Sequence, residues 1–389
     1  MSAPTGARRG PWLPQDPPRA RESEHEPEPG ARTRPPHIPG GARHRLLDRC
    51  ARHTGAVTGV RRLTGGNVSH VFRVEGEGGT VVLKVRTDRF ARMPELRTDP
   101  ALIADERRAL EVYGAAAPSL FPRVLDFLPE AHAMIMTDVF PDRRTYQDHL
   151  LERPATSREL ERLGAALRRV HEATRAERRP IRSQGDVWFR EHTFGFCLGS
   201  TPHPALTAAC GELRRVRGQQ LILGDCCPKN LSLAGGGVAI CDLDNVHHGW
   251  PLYDLGYLLA HVLIHHPGPA AGRLDVLTRA LLHGYAGPEG IAADDHALML
   301  KVTAGVMLYR LVNGAVPYEL PLGPVQRREL HGRVVALLDH GTVGLRELSR
   351  AVALLPEGPT GGGRTTARPA PDVPVPATPV PDAPGEDRR

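Results

Sequence analysis

The chain has 389 residues, 24% of them charged and 40% hydrophobic, with a formal net charge of +6. That length allows two or three domains with a packed core, while no apolar stretch reaches the about 18 residues of a membrane-spanning helix. The first residues lack the apolar centre of a secretory signal, and six Cys without a Cys-x-x-Cys pair or zinc spacing read as free thiols in a reducing cytoplasm.

Residues 1–42 hold ten Pro and residues 356–389 hold nine, so both ends read as disordered tails too poor in apolar surface to offset the entropy of ordering. Between them, 43–139 is strand-rich and 140–355 helix-rich. Val57 to Leu63, His70 to Val74 and Thr80 to Val85 are predicted strands around the Gly65-Gly66-Asn67 turn and the turn from Glu75 to Gly79. A helical period spans about 100–114, followed by short apolar runs from Arg123 to Leu128 and from Ala133 to Val139. Leu160, Leu163, Leu167 and Val170 form one helical stripe. Glu-to-Arg pairs such as Glu159 with Arg162 make the basic stretch from Arg158 to Arg182 a solvated helix face, not a nucleic-acid surface. Leu231 to Leu243 reads as a hairpin around Gly235-Gly236-Gly237, and 252–265, 271–286, 292–313 and 324–350 as helices.

The chain uses 47 Arg but only three Lys, at Lys84, Lys229 and Lys301. Arg and Lys are not interchangeable where a compact ammonium must meet a point charge. Lys84 lies inside an apolar strand and needs a counter-charge. Glu106 shares a helix stripe with Leu102, Ala109, Leu110 and Tyr113 and has the complementary need, so the two are natural partners. Asp225 and Asn230 share a Pro-containing loop after an apolar strand, and Asp242 ends a second apolar strand twelve residues beyond Asn230. Phosphoryl transfer needs a cation on the phosphates, oxygen ligands for magnesium, and a carboxylate to orient the acceptor hydroxyl. Each acid alone could equally end a strand or cap a turn; one mechanism accounts for all of them together.

These residues resemble the aminoglycoside phosphotransferase, choline kinase and methylthioribose kinase group. The matching pieces are Gly65-Gly66-Asn67 with Val71-Phe72-Arg73-Val74, then Lys84, Glu106, and Gly224-Asp225 with Pro228 and Asn230. Asp242 and the Pro251-Leu252-Tyr253-Asp254-Leu255 stretch complete the set. The resemblance spans about 60–340 and implies an α+β, bilobal protein-kinase-like fold with a small antiparallel-sheet N-lobe and a larger helical C-lobe. It implies that Gly65, Gly66, Asn67 and Ser69 cover the phosphates of ATP, with GTP left open. Lys84 would hold those phosphates, itself held by Glu106. Met136, Thr137 and Val139 would form the hinge that meets the adenine edge. Asp225 would orient the acceptor hydroxyl, Asn230 and Asp242 would bind Mg2+, and Asp254 would brace the loop.

The chain departs from the group's pattern at three places. Leu223 stands two residues before Asp225, where the group usually has His, which raises the alternative of a weak or silent kinase-like nucleotide-binding protein. Asp244 is an additional acid, either a second metal contact or a turn residue, with the turn slightly favoured. Cys226-Cys227 falls inside the loop and would make it oxidation-sensitive. His171 reads as a packing residue and Lys301 as structural, while Lys229 is divided between steadying phosphate and an exposed loop charge. Asp186, Trp188, Phe189 and Trp250 are candidates for an acceptor pocket, against the more common reading of loop aromatics as local cores. His247-His248 and His265-His266 are unlike a shared ion site, because adjacent side chains diverge. Eight acids against nine bases over 270–350 do not make a trough for a polycation, so the expected acceptor is a neutral or weakly anionic hydroxyl compound such as a sugar, nucleoside or natural product.

Overall fold

In the computed structural model, which describes residues 43–356 apart from 64–65, 95, 141, 183–196, 199–200, 217–218, 269–270 and 313–317, the early strand signals build one antiparallel sheet. Its order is β1-β2-β3-β5-β4, from β1 (Val57–Leu63), β2 (His70–Gly76), β3 (Gly79–Val85), β4 (Val124–Leu128) and β5 (Ala133–Thr137). Side chains alternate across a strand, so each strand feeds two layers. Phe72, Val74, Val81, Leu83, Val85 and Ile135 form one core with Leu46 and Cys50 of helix α1 (Arg43–Thr54). The opposite face carries Val82, Met134 and Met136 toward α2 (Leu102–Ala116) and the main core. Lys84 falls in that second register, with Arg73 on β2 and Arg86 just past β3.

Helix α1 was absent from the expectations. Its sequence, RHRLLDRCARHT, buries only Leu46, Cys50 and Thr54, and Arg49 ties it to β4 through a two-pronged pair with Asp126 at 2.6 Å. So sparse an apolar stripe is weak as a sequence signal.

The helical part begins with α3 (Tyr146–Glu152) and α4 (Ser157–Thr174), each opened by a Thr whose side chain accepts the N–H three residues on. Leu160, Leu163, Leu167 and Val170 are all buried, as their stripe predicts. Helix α5 (Pro204–Arg215), also unforeseen, follows, and then short strands β6 (Gln220–Ile222), β7 (Leu231–Ser232), β8 (Ala239–Ile240) and β9 (His247–Gly249). β6 pairs with β9, and β7 with β8. Helices α6 (Pro251–Ile264), α7 (Ala271–Ala286), α8 (Ala293–Val312), α9 (Pro324–Asp339) and α10 (Leu345–Ala353) complete the description. The single helix expected over 324–350 is two, because Gly341 turns at φ +65 and Gly344 caps the second.

Two elements carry most of the site. Helix α6 is buried on all sides, and a Cβ at its Gly256 would crowd the Met299 carbonyl oxygen of α8. Thr303 of α8 donates to the Gly256 carbonyl at 3.2 Å, so the two helices run in close contact. Both face the loop that follows β6. Among the described residues no helix is long and apolar enough to cross a membrane. The tail 1–42 and, but for Pro356, the tail 356–389 lie outside the described residues, as do Gly65, Asp186, Trp188 and Phe189.

Candidate active site

Two charged clusters meet at the β7–β8 hairpin. In the first, Lys84 Nζ donates to Glu106 Oε1 at 2.6 Å and to Asp242 Oδ1 at 3.0 Å, and lies 3.2 Å from Asp244 Oδ2. Arg86, two residues along and on the same face, donates from Nη1 to Asp244 Oδ1 at 3.1 Å. Lys84 and Asp242 are 158 positions apart in the chain. Their meeting follows from three local facts: the alternation of β3, the stripe of α2 that turns Glu106 inward, and the strand β8 that delivers Asp242. Asp242 adopts φ +63, a left-handed conformation that Asp tolerates better than most residues, and its side chain keeps 26% of its surface open.

The cluster sets three carboxylates, the buried Glu106 and Asp244 and the partly open Asp242, against two cations. Burial works against the Lys84 ammonium, but Asp242, Asp244 and Glu106 hold its pKa well above the usual lysine value. Burial also opposes the Asp244 carboxylate, yet Lys84 and Arg86 hold it well below the usual range. Burial pushes Glu106 up to about 8, with the charge on Asp244 adding to it and Lys84 pulling back. Asp242 is likewise raised, by burial foremost and by Asp244, against the pull of Lys84. Ligand atoms of Glu106, Asp242 and Asp244 all lie within 4.8 Å of one another, and Glu106 Oε2 is buried without a hydrogen bond to a described residue. Hard, oxygen-only donors with surplus negative charge fit a divalent cation such as magnesium. Of the two readings of Asp244, a metal contact fits better than a turn residue: it is 5% exposed and paired with both Lys84 of β3 and Arg86 just past it.

The second cluster is the loop from Gly224 to Asn230. Gly224 has φ +75, and a Cβ there would strike the Asn245 carbonyl oxygen, so no other residue fits this entry to the loop. Asp254, in the first turn of α6, accepts the backbone N–H groups of Leu223 at 2.7 Å and Gly224 at 2.8 Å. His171 of α4 lies 3.1 Å from the same carboxylate through Nε2 and 2.9 Å from the Tyr285 hydroxyl through Nδ1. His171 therefore does more than pack: it links α4 and α7 to the residue that holds the loop. The Leu223 side chain is buried in the apolar core while its backbone is secured by Asp254, so order at this point does not depend on a His side chain.

Asn230 Nδ2 donates to the Asp225 carbonyl at 3.0 Å and to Asp225 Oδ2 at 3.3 Å. Lys229 Nζ stands 3.9 Å from Oδ2, and an Arg310 guanidinium nitrogen 3.6 Å from Oδ1. Burial would raise the Asp225 carboxyl, but Lys229 and Arg310 more than offset it and hold the group below the usual carboxylate range. Asp225 Oδ1 is buried and makes no hydrogen bond to a described residue, with the Arg310 guanidinium its near cation. The Lys229 side chain is 16% exposed and feels both Asp225 and Asp242, so it belongs to the site and not to a solvated loop. The Cys241 N–H donates to the Asn230 carbonyl at 2.9 Å, which places Asn230 and Asp242 at one end of the hairpin.

The remaining candidates divide. Asn67 Oδ1 and Ser69 Oγ are buried without hydrogen bonds to described residues, between strands β1 and β2. Val68 and Asn67 offer their carbonyls to Ala91 and Arg92 at 3.1 Å, which fixes the turn that also contains Gly66. Met136 and Thr137 end β5, with Val139 just past it, and Asp138 is clamped by Arg73 at 2.6 and 3.2 Å. Cys226 and Cys227 are buried, and burial pushes both thiols well above their usual pKa, so the expected oxidation sensitivity has no exposed thiolate behind it. Trp250 sits in the main core. His265 and His266 each bond through Nδ1 to the carbonyl four residues earlier, His247 bonds to the Asn245 carbonyl, and Lys301 pairs with Glu212 at 3.1 Å. Arg310 and Arg86 went unnoticed in the sequence. The signal for Arg310 was the same as for Lys84, a lone charge in an apolar run (Ala304 to Leu311), and Arg86 sits at the period-2 position after Lys84.

No curated protein sequence matches the chain. Among solved structures, it is similar to amicoumacin kinase hAmiN in complex with AMP-PNP, Ca2+ and Ami, at 16% identity over 77% of this chain and 94% of that one, with a TM-score of 0.51. It is also similar to the choline kinase LicA from Streptococcus pneumoniae (12% identity, 77% and 99% covered, TM-score 0.47). A choline/ethanolamine kinase family protein from Mesorhizobium loti gives 17% identity, 80% and 98% coverage and a TM-score of 0.45. The first of these supports the expected α+β, protein-kinase-like fold, with its small antiparallel sheet followed by a larger helical part. A model of the phosphotransferase enzyme family matches residues 59–293, more than half of the chain, so this protein belongs to the phosphotransferase enzyme family and is a small-molecule phosphotransferase.

Proposed function

We propose that the chain transfers the γ-phosphate of ATP to a hydroxyl of a small molecule, with Lys84 and Asp242 on the nucleotide side and Asp225 on the acceptor side. The observation that carries this is the convergence of Lys84, Glu106 and Asp242 beside a loop whose Asp225 keeps a buried, unbonded carboxylate oxygen. Lys84, kept protonated, is suited to the phosphate oxygens, and Glu106 fixes its direction. The turn at Gly65, Gly66, Asn67 and Ser69 would cover the phosphates, and the Met136, Thr137 and Val139 segment would meet the base. Asn230 and Asp242, with Asp244 behind them, would hold magnesium, which when bound offsets charge on the phosphate oxygens.

In the transfer step the acceptor hydroxyl donates to Asp225 Oδ1 and attacks the γ-phosphorus. The new oxygen–phosphorus bond forms as the bond to the bridging oxygen of ADP breaks, and the hydroxyl proton passes to the carboxylate. Because Lys229 and Arg310 keep Asp225 ionised at neutral pH, it orients the hydroxyl more than it acts as a strong base. The net-positive surroundings of Asp225 favour a neutral or anionic acceptor, such as a sugar or nucleoside. The experiment is magnesium-ATP consumption against a panel of sugars, nucleosides, amino alcohols and antibiotics, with mass detection of the added phosphate. Transfer to a sugar or nucleoside supports the proposal; turnover of aminoglycosides alone overturns the acceptor class, and the absence of any phosphorylated product overturns the transfer.

A further inference from the structure

Arg310 is a buried cation inside an aromatic enclosure beside the proposed catalytic carboxylate. Its guanidinium carbon lies 4.5 Å from the ring centre of Tyr318, 4.9 Å from Tyr309 and 5.6 Å from Tyr257. One terminal nitrogen donates to the Tyr257 hydroxyl at 2.7 Å, and Nε donates to His261 Nε2 at 3.3 Å. His261 is held neutral, by burial first and then by the charge of Arg310, so Nε2 can accept. The side chain is 3% exposed and lies 3.6 Å from Asp225 Oδ1, the buried oxygen that the phosphotransfer proposal assigns to the acceptor hydroxyl.

Three aromatic rings around one point make the kind of enclosure that binds a ligand ammonium, because ring faces attract a desolvated cation. Here the chain fills it with its own guanidinium, whose charge cannot be titrated away. A second cation brought against Asp225 would meet the buried Arg310 guanidinium 3.6 Å from Oδ1 and the Lys229 ammonium 3.9 Å from Oδ2. We propose that Arg310 is the specificity-determining residue of the acceptor side: it occupies the place a cationic alcohol would take and restricts Asp225 to hydroxyl compounds without positive charge. This inference rests on the phosphotransfer proposal above for the role of Asp225, and it assigns the residue that enforces the acceptor class.

The test is thermal unfolding of the full chain with magnesium and AMP-PNP, titrated with choline, with ethylguanidinium, and with 3,3-dimethyl-1-butanol, the uncharged counterpart of choline. The wild type is expected to gain nothing from either cation. In R310A, ethylguanidinium and choline should raise the melting temperature, with an apparent Kd for choline at least about tenfold lower than in the wild type, while the uncharged alcohol does nothing comparable. R310Q removes the charge but leaves a polar, hydrogen-bonding side chain, a smaller change than R310A; choline should stabilise it as well. Choline binding the wild type as tightly as either variant, or the cation and its uncharged counterpart acting alike on the variants, overturns the assignment. A missing AMP-PNP shift in the wild type would count against the phosphotransfer proposal instead, and the cation titrations would still decide the place of Arg310.

Discussion

The two charged clusters on either side of the β7–β8 hairpin are balanced in opposite senses. Around Lys84, three carboxylates outnumber two cations, and both Glu106 and Asp242 are raised by burial and by their acidic neighbour. Around Asp225, two cations outnumber one carboxylate, which is lowered. The excess negative charge suits a metal ion, and the excess positive charge suits a carboxylate that must stay ionised next to a hydroxyl. In the proposed reading, the first side takes its balancing charge from a metal ion, while the second finds its own within the chain.

That contrast can be broken by substitution. The largest effect is expected from D242N, which should lower magnesium-dependent transfer by about a thousandfold or more, since oriented groups of this kind act as a unit. The same change removes a strained charge from the metal-free protein, so its melting temperature should hold or rise; a large fall in melting temperature would mean that Asp242 serves the fold and not a ligand. K84M should act in the opposite direction on stability, destabilising by about 3–5 kcal/mol because it leaves Glu106, Asp242 and Asp244 without their shared ammonium. Chemical denaturation of both variants measures this pair of opposite signs.

On the helical side the smaller lever is pH. His265 is pushed down to about 4 by burial, and His261 and His266 are lowered in the same way. An unfolded His binds its proton near pH 6.5 whereas the folded one resists, so stability is full above 6.5 and is lost as pH falls toward 4. Melting temperatures taken across that window should decline, and H265N should flatten part of the decline. The smallest effect on turnover is expected from L223H. With the Leu223 backbone already held by Asp254, a His in this apolar position should lower stability by about 1–3 kcal/mol without raising the rate. A clear gain in turnover would show that the loop does want a His there.

Much of this was legible in the sequence for a common reason. Lys84, Glu106, Asp225 and Asp242 are each a polar residue in a pattern that should be apolar or extended, and such conflicts between local pattern and chemistry mark functional positions. Asp254 was legible only through resemblance, since nothing in its local pattern says which N–H groups it accepts. Arg86 and Arg310 escaped for a compositional reason: among 47 Arg, one more in a strand or helix carries little weight until burial is known. Asp244 was legible only as a choice between a metal contact and a turn, because a second acid two residues after the first fits both, and the pairing of Asp244 with Lys84 and Arg86, two positions apart on one face, favours the first. The break between α9 and α10 was readable in Gly341 and Gly344, and helix α1 was not, because its buried stripe is only three residues wide.

The most direct measurement compares AMP-PNP binding and turnover in the wild type, D242N and D225N, each with and without magnesium. Separate nucleotide and acceptor sides require that D242N lose magnesium-dependent nucleotide binding and turnover together, and that D225N keep the binding while losing the turnover. If D225N loses nucleotide binding as D242N does, or turns over at the wild-type rate, the two clusters do not divide the reaction in this way.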